Sequence, residues 1–387
     1  MRSPSKRVLG LILISLPLAI SASAQVQQKP EKPLMAEDVF KNVQILKGIP
    51  VKEFMNTMGF FSAATNLNCI DCHSPQSESL EGYAIDTPRK QMARKMIIMV
   101  NALNKSSFGG QRKVTCYTCH RANDRPEAIP SLLDQYSIPT DDPDKVEIIR
   151  GPQAAQSANR ISADQILDKY IEAIGGASQL AKLTSFIAKG TYEGFETFSE
   201  KVPVEIFANA PNQLTNIVHT QNGDSVSTYD GSHGWIAAAD KLMRVLPLSG
   251  GDLEGAKMDA LVSFPARIRQ DFQWRTGFPS TSIDDRPVQI IQNVGRGDTG
   301  AKLYFDSQSG LLVRQVRFVD TAVGVIPTQI DYSDYRAVAG VKVPFRRVVT
   351  WTDGRSTIEL SEVQPNARIE AAKFATPAPP TGKPATR

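Results

Sequence analysis

The spacing of apolar residues along the chain changes near Phe186. Before that point they recur every three or four positions, which is typical of helices that bury one face. This spacing predicts helices over 36–45, 51–64, 87–104, 162–174 and 178–183. Beyond Phe186 the spacing falls to two, and turn residues separate the apolar runs. The pattern therefore predicts helices in the first part of the chain and a sheet in the second.

The second half contains eight predicted strands. They cover 202–208, 214–220, 288–293, 301–306, 311–319, 328–332, 345–352 and 356–360. Asp353-Gly354 separates the last two and is typical of a hairpin, and the stretch from Ser307 to Gly310 joins two others. Many consecutive strands with few helices favour an antiparallel sheet that is curved or partly closed.

The first 24 residues have the three parts of a secretory signal peptide. Arg2, Lys6 and Arg7 precede the apolar run 8–20, and Ala22-Ser23-Ala24 follows it. The run is too short to span a membrane comfortably. We therefore predict cleavage after Ala24 and export to the periplasm.

The charge balance argues against one class of partner. The chain has 44 basic and 40 acidic residues, and the predicted signal peptide contains three of the basic residues and no acidic one. The exported protein is therefore nearly neutral. Nucleic acid binding needs a clear basic surplus, so no nucleic acid partner is predicted.

All four cysteines fall into two C-x-x-C-H units, Cys69 to His73 and Cys116 to His120. This is the attachment signature of c-type haem, in which two thiols bind the porphyrin covalently and the histidine binds the iron. A four-cysteine zinc site or a thiol redox centre would need the cysteines alone. Neither explains a histidine after both pairs in a chain with only four histidines. Two covalently bound haem c groups are the favoured interpretation.

An iron bound by one histidine needs a sixth ligand, and a thioether is a soft neutral ligand that raises the potential. A methionine-bearing helix is predicted before each unit. The candidates are Met55 and Met58 for the first haem, and Met92, Met96 and Met99 for the second. Methionine at helical spacing is more often core filler than ligand. Spacing alone leaves the choice among the five open.

Three stretches resemble the cytochrome subunit of purple-bacterial photosynthetic reaction centres: Phe54 to Met58, Ala93 to Met96, and Val114 to Ala122, which reads VTCYTCHRA. The resemblance covers residues 36–126. It implies electron transfer rather than catalysis. It also implies that His73 and His120 are the proximal ligands and Met58 and Met96 the distal ones. That family's subunit carries four haems, whereas this chain has attachment cysteines for two.

Basic residues surround the two units. They are Arg89, Lys90, Arg94, Lys95, Arg112, Lys113, Arg121 and Arg125. A solvated face is the usual role of such charges. Some of them can instead pair with haem propionates or attract an acidic redox partner. Arg121, which adjoins the second unit, is the best propionate candidate.

The second half resembles, faintly, the half-barrel fold of periplasmic lipoprotein carriers. The helix pair, the Gly175-Gly176 break and the stretch from Asp334 to Phe345 carry this resemblance. His219 and His233 are predicted to be surface or turn residues, because the haems have better ligand candidates on helices.

Together these observations predict an α+β protein of two domains, a mainly helical di-haem cytochrome c domain followed by a mostly antiparallel β domain. The segments are a signal peptide over 1–24, the haem domain over 25–126, a linker over 127–160, the β domain over 161–375 and a disordered tail over 376–387. The predicted function is electron transfer with redox partner proteins, which can include membrane-bound ones. The alternatives are a di-haem peroxidase and a sheet that binds an apolar ligand or quinone.

Overall fold

The computed structural model describes residues 33–73, 80–126, 161–239, 241, 243–278, 281–294, 300–352 and 354–380. The chain from Pro33 onward belongs to one compact unit. The predicted signal peptide and linker lie outside the described residues, so both stay predictions. No helix among the described residues is long and apolar enough to cross a membrane.

The described helices fall into two groups. The first six are α1 Ala36–Val39, α2 Val51–Thr65, α3 Cys69–Cys72, α4 Leu80–Ala84, α5 Pro88–Ser107 and α6 Cys116–His120. The others are α7 Ala163–Ala173, α8 Ala177–Leu180, α9 Gly250–Ser263 and α10 Ile268–Asp271. The two predicted methionine-bearing helices correspond to α2 and α5.

Helix α1 is shorter than the predicted helix over 36–45. Phe40 has an extended backbone, and Asn42 adopts a left-handed conformation with φ of 60°. The Asn42 side chain donates to the carbonyl oxygen of Ala84 at 2.7 Å. A short polar side chain that finds such a partner outside the helix favours a turn over continued helix. Apolar spacing alone did not reveal this competition.

Local capping explains where α5 and α7 begin. Thr87 Oγ1 accepts from the Lys90 backbone N–H at 3.2 Å, and Pro88 occupies the first helical position. Ser162 and Gln165 form a reciprocal capping box at the start of α7. Both starts agree with the predicted helices over 87–104 and 162–174.

The second half forms one antiparallel sheet. Its described strands are β1 Ser185–Gly194, β2 Val202–Asn209, β3 Gln213–Thr220, β4 Gly223–Tyr229, β5 Gly234–Ala237, β6 Val245–Pro247, β7 Trp274–Arg275, β8 Thr281–Ile283, β9 Arg286–Asn293, β10 Lys302–Asp306, β11 Leu312–Asp320, β12 Val325–Val338, β13 Val341–Trp351 and β14 Gly354–Pro365. Their order is β6-β5-β4-β3-β2-β1-β14-β13-β12-β11-β10-β9-β7, with β8 paired to β9. Neighbours follow one another along the chain except where β1 pairs with β14 and β7 with β9.

The sheet curves around helix α9. This helix contacts β3 and β4 on one side and β11 on the other. In a flat sheet, β3 and β11 would lie about 29 Å apart at the usual strand spacing, far more than the diameter of one helix. The concave face is thus filled by α9 and α7, whose Leu167, Met258 and Leu261 are almost fully buried.

Helix α9 was not predicted from the sequence. It begins with Gly250 and Gly251 and contains Gly255, and glycine is a poor helix former. Packing accounts for Gly255, because a Cβ there would lie 2.9 Å from Cδ of Arg317. Tertiary burial therefore outweighs local propensity in this segment.

The hairpins predicted from turn residues are present. Trp351 pairs with Gly354 where β13 turns into β14. Between β10 and β11, the Asp306 carboxylate accepts hydrogen bonds from the backbone N–H and hydroxyl of Ser309 at 2.6 and 2.8 Å. The antiparallel, curved sheet is thus confirmed.

The domain boundaries stay predictions. Pro380, in the predicted tail, accepts a hydrogen bond at its carbonyl oxygen from Arg244 at 2.8 Å. Residues 381–387 of that tail lie outside the described part.

Candidate functional site

Each C-x-x-C-H unit forms a single helical turn that is capped just before its first cysteine. In the first, the Asp71 carboxylate accepts from the Asn68 backbone N–H at 2.8 Å. In the second, Thr118 Oγ1 accepts from the Thr115 backbone N–H at 3.0 Å. In each unit the residue just before the second cysteine thus closes the cap. One turn brings residues three apart onto the same face, so both thiols of a unit face the same side.

The His120 ring has a defined protonation pattern. Its Nδ1 lies 2.9 Å from the carbonyl oxygen of Asn123. A carbonyl oxygen only accepts, so Nδ1 carries the proton and donates. The neutral ring then has an unprotonated Nε2, which is the atom that can bind a metal. His120 therefore fits the role of proximal iron ligand.

His73 lies in a more enclosed environment. Its Nδ1 is buried without a hydrogen-bond partner, and its ring contacts the ring of Tyr83 with centroids 4.9 Å apart. Burial, and secondly the charge of Lys90, lower the pKa of His73. Both effects favour the neutral imidazole that a metal requires.

The thiols do not have the surroundings of a redox centre. Burial raises the pKa of the Cys72 and Cys116 thiols, which disfavours the reactive thiolate. All four cysteines are free of disulfides. Within the described ranges, no three His, Cys, Asp or Glu side chains gather as a metal site would require. The four-cysteine zinc site is therefore disfavoured, and the residues present fit covalently attached haem.

Each of the two predicted ligand helices contacts the second unit, and one of them also contacts the first. Helix α2 packs against α6, which is the second unit, and α5 packs against both α3 and α6. Two hydrogen bonds join the parts. Thr87 Oγ1 at the start of α5 donates to the carbonyl oxygen of Cys72 at 2.6 Å, and the Ala122 N–H donates to the carbonyl oxygen of Ala64 at 3.0 Å. The two units thus belong to one interlocked structure.

The five candidate methionines lie on helices α2 and α5. Met58 on α2 and Met96 on α5 are both half-buried. Met55, Met92 and Met99 are 40%, 53% and 50% exposed. The core-facing positions of α5 are instead Ile97, Val100 and Asn104. The methionine stripe of α5 therefore does not fill the core of the chain.

Asn104 organises the segment that leads into the second unit. It is buried, its Nδ2 donates to the carbonyl oxygen of Val114 at 2.7 Å, and its Oδ1 accepts from the N–H groups of Lys113 and Val114 at 3.0 and 2.9 Å. Sequence analysis missed this residue. A polar side chain at a core-facing position of a helix was the available signal.

The comparisons with known proteins concern this part of the chain. Residues 14–156 match the family model described as "Photosynthetic reaction centre cytochrome C subunit". The predicted family resemblance is confirmed. In the following, the described residues within this match, 33–73 and 80–126, are called the cytochrome segment.

Two curated relatives are photosynthetic reaction center cytochrome c subunits. The protein from Thermochromatium tepidum is 32% identical over 117 residues, which is 28% of this chain and 28% of the relative. The protein from Rubrivivax gelatinosus is 30% identical over 132 residues, 31% of this chain and 34% of the relative. The chain thus spans about a third or less of either relative. The family match ends at residue 156, before the first strand of the sheet.

Solved structures are similar to the sheet in outline. A LolA superfamily protein from Nitrosomonas europaea matches 56% of this chain and 98% of its own at 12% identity, with a TM-score of 0.39. A putative outer membrane lipoprotein-sorting protein domain from Vibrio parahaemolyticus matches 54% of this chain and 97% of its own at 10% identity, with a TM-score of 0.38. No ligand or activity follows from this level of similarity.

Four of the eight basic residues that surround the two units have protein partners. Arg89 pairs with Asp124 at 3.5 Å, and Arg94 pairs with Asp86 at 2.7 Å. Lys90 donates to backbone carbonyl groups, and so does Arg112. The remaining four are exposed: Lys95, Lys113, Arg121 and Arg125.

A cavity of about 110 Å³ lies on the concave face of the sheet, lined by apolar residues such as Phe186 and Leu214 and by the polar residues Asn216 and Arg347. Pockets for drug-sized molecules measure about 300–1,000 Å³, so this cavity is small for an apolar ligand or quinone. A second cavity, of about 330 Å³, is lined mostly by polar residues such as Asn212 and Lys257. The apolar-ligand alternative stays a prediction. His219 and His233, with side chains 37% and 54% exposed, lie at the surface as predicted.

Proposed function

We propose that this protein is an exported di-haem c-type cytochrome that carries electrons. The observation that carries the proposal is the pair of complete C-x-x-C-H units. Each is folded as a capped helical turn, and both lie within the stretch that matches the cytochrome family. Cys69 and Cys72 would hold one haem, and Cys116 and Cys119 the other. His73 and His120 would bind the irons.

When bound, haem supplies one-electron chemistry at an iron whose potential depends on its axial ligands and surroundings. The residues of this chain orient and shield. The carbonyl oxygen of Asn123 accepts from Nδ1 of His120 and so fixes the orientation and tautomer of this ring. The ring contact with Tyr83 and the burial of Nδ1 hold the His73 imidazole in place and favour its neutral form.

We assign the distal positions to Met58 and Met96. Met58 lies on α2, which precedes the first unit in the chain and packs against α6 of the second, and Met96 lies on α5, which contacts both units. A rigid helix holds a ligand side chain in a fixed rotamer. Both side chains are half-buried, and neither belongs to the apolar clusters of the core. Met55 is the alternative at the first haem, and Met92 and Met99 are the alternatives at the second.

A filled sixth position separates a carrier from a peroxidase. A di-haem peroxidase needs one iron with a vacant or displaceable distal ligand, because peroxide must reach the metal. Met/His ligation at both irons leaves no such place, so we propose a carrier rather than an enzyme.

The proposed partners are redox proteins, including membrane-bound ones, on the periplasmic side. Lys95, Lys113, Arg121 and Arg125, which are exposed around the two units, can attract an acidic patch on such a partner and speed the encounter. Arg121, next to the second unit, remains the candidate for a haem propionate. The names of the two relatives suggest a photosynthetic reaction centre as one such membrane-bound partner.

Haem quantification on the exported protein tests the proposal. The protein is produced with a haem-attachment system, and its haem content and absorption spectrum are measured after denaturation and in the native state. Two covalently attached, low-spin haems per chain are expected. One haem or none, or a high-spin ferric signal together with peroxide turnover, would overturn it.

A further inference from the structure

The turn between β11 and β12 enters the core of the cytochrome segment. This turn, residues 321–324 with the sequence Thr-Ala-Val-Gly, is called the hairpin tip below. Val323 is 5% exposed and packs with Phe60 and Ala64 of α2, Ile97 of α5 and Cys116 of α6. A residue of the sheet thus completes the apolar cluster that joins α2 and α5 to the second unit.

The hairpin tip is rigid in itself. Thr321 is fully buried, and its hydroxyl accepts from the N–H of Gly324 at 3.0 Å and donates to the Gly324 carbonyl oxygen at 2.9 Å. The Thr321 N–H also donates to that carbonyl oxygen at 2.7 Å. A turn closed by several internal hydrogen bonds can hold a neighbouring helix without yielding.

Polar contacts fix α2 to the hairpin tip. Thr57, which precedes Met58, is fully buried, and its hydroxyl accepts from the Ala322 N–H at 3.2 Å. The same hydroxyl donates to the carbonyl oxygen of Glu53 at 2.8 Å. Thr57 therefore links the helix backbone to the turn one residue away from the proposed ligand.

A second tie runs from the segment before the second unit. Arg112 Nη1 donates to the carbonyl oxygen of Thr321 at 2.6 Å, and this guanidinium lies 3.7 Å from the Asp320 carboxylate. The hairpin tip thus contacts residues on the approach to both haem loops. These contacts are specific in distance and direction, unlike a loose surface association.

The contact between Gly324 and Phe60 leaves no room for a side chain. A Cβ at Gly324 would lie 2.2 Å from two ring carbons of Phe60. The φ angle of Gly324 is not in the left-handed region, so an alanine there would meet steric conflict with the ring rather than backbone strain. The position of α2 therefore depends on how closely the turn approaches.

We infer that the hairpin tip of the sheet is a positioning element for the haem ligands, and that it holds helix α2 so that Met58 can reach the first iron. Thr57, Phe60 and Gly324 are the positioning residues. This inference rests on the proposed function, and it gives the sheet a role in setting the properties of the cytochrome segment. A displaced α2 would move the thioether away, and loss of that ligand lowers the potential of the iron.

The variant Gly324→Ala tests the inference in the full-length holoprotein. Haem content should not change, since the cysteines hold the haems. The methionine-to-iron charge-transfer band should fall to about half, since one of two haems loses its thioether. The potential of that haem should fall as well. The double variant Phe60→Leu/Gly324→Ala removes the ring that the new methyl group meets, so it should restore both signals, with Phe60→Leu as its background.

Gly59→Ala is the matched control on the same helix. A Cβ at Gly59 would find Thr352 Oγ1 4.0 Å away as its nearest neighbour, so band and potentials should match the wild type. If Gly324→Ala does not fold, Thr57→Val tests the same contact, and Thr57→Ser, which keeps the hydroxyl, should rescue it. Folded variants with unchanged band and potentials would overturn the inference. Wild-type protein without haem or without the band would instead overturn the proposed function.

Discussion

In the sheet, apolar side chains of α7, α9 and most strands form one continuous core, whereas the main buried cluster of the cytochrome segment contains only Phe60, Ala64, Ile97, Cys116 and the sheet's own Val323. Most of the exposed large apolar side chains in the described residues lie in the cytochrome segment. A small core cannot order short helices by burial alone. The two regions are therefore stabilised by different means.

The cytochrome segment relies on polar contacts at defined points. Capping boxes fix the two units, Thr87 joins α5 to Cys72, and Asn104 holds the approach to the second unit. The hairpin tip supplies what its core lacks. The sheet therefore supports the cytochrome segment. Substitutions that destabilise the sheet should also destabilise the cytochrome segment, and the reverse effect should be smaller.

The largest effect is expected from Leu303→Ala, in the fully buried centre of β10. Loss of a buried leucine side chain lowers the free energy of unfolding by about 2–5 kcal/mol. All three tryptophans lie in the sheet, so their fluorescence in urea reports on it, while haem absorbance reports on the cytochrome segment. Both transitions should move together.

The control for this variant is Val294→Ala, at a position 57% exposed just after β9, which should change stability by no more than about 0.5 kcal/mol. If the haem transition of Leu303→Ala stayed at its wild-type urea concentration, the cytochrome segment would be independent of the sheet. That result would contradict the stabilising role of the sheet.

A smaller and local effect is expected from Asn104→Ala. The Val114 N–H would lose its acceptor and the Val114 carbonyl oxygen its side-chain donor, which costs about 1–3 kcal/mol when such groups remain buried. The haem transition should shift to lower urea, while the tryptophan transition stays. Asn101→Ala, at an exposed position of the same helix, is the control. An equal shift of both transitions would show that the support runs in both directions.

The smallest effect concerns a titrating turn of the sheet. Burial alone would raise the pKa of Asp306, but the hydrogen bonds from Ser309 and Gln308 outweigh it and lower that pKa below its ordinary 3.8. The stabilisation is therefore present above pH 3.8 and is lost as the pH falls through the lower folded value. Asp306→Asn should be less stable by about 1 kcal/mol at pH 7.

This difference from the wild type should shrink at pH 3, as measured by tryptophan fluorescence in urea. Asp285→Asn, at an exposed position in the β8–β9 turn, is the comparison variant. A difference that stays constant between pH 7 and pH 3 would contradict the assigned titration of Asp306.

Local patterns were sufficient to predict α2, α5, α7 and most strands, because their apolar spacing and capping residues act within a few positions. The chemistry of the two units was readable for the same reason. The hairpin tip was not, since Thr57 and Ala322 are separated by 265 positions and no periodicity connects them. Helix α9 was missed because Gly251 and Gly255 serve packing against Val319 and Arg317, which lie on a strand far away in the sequence.

The central claim is that both irons have Met/His ligation and carry electrons. A spectroelectrochemical titration of the full-length protein and of Met96→Ala tests it most directly. The wild type should titrate as two low-spin haems with the methionine-to-iron band. Met96→Ala should keep both haems, lose the band of one and lower its potential. An unchanged spectrum would transfer the ligand role to Met92 or Met99, and a wild type lacking the band at both haems would contradict the account.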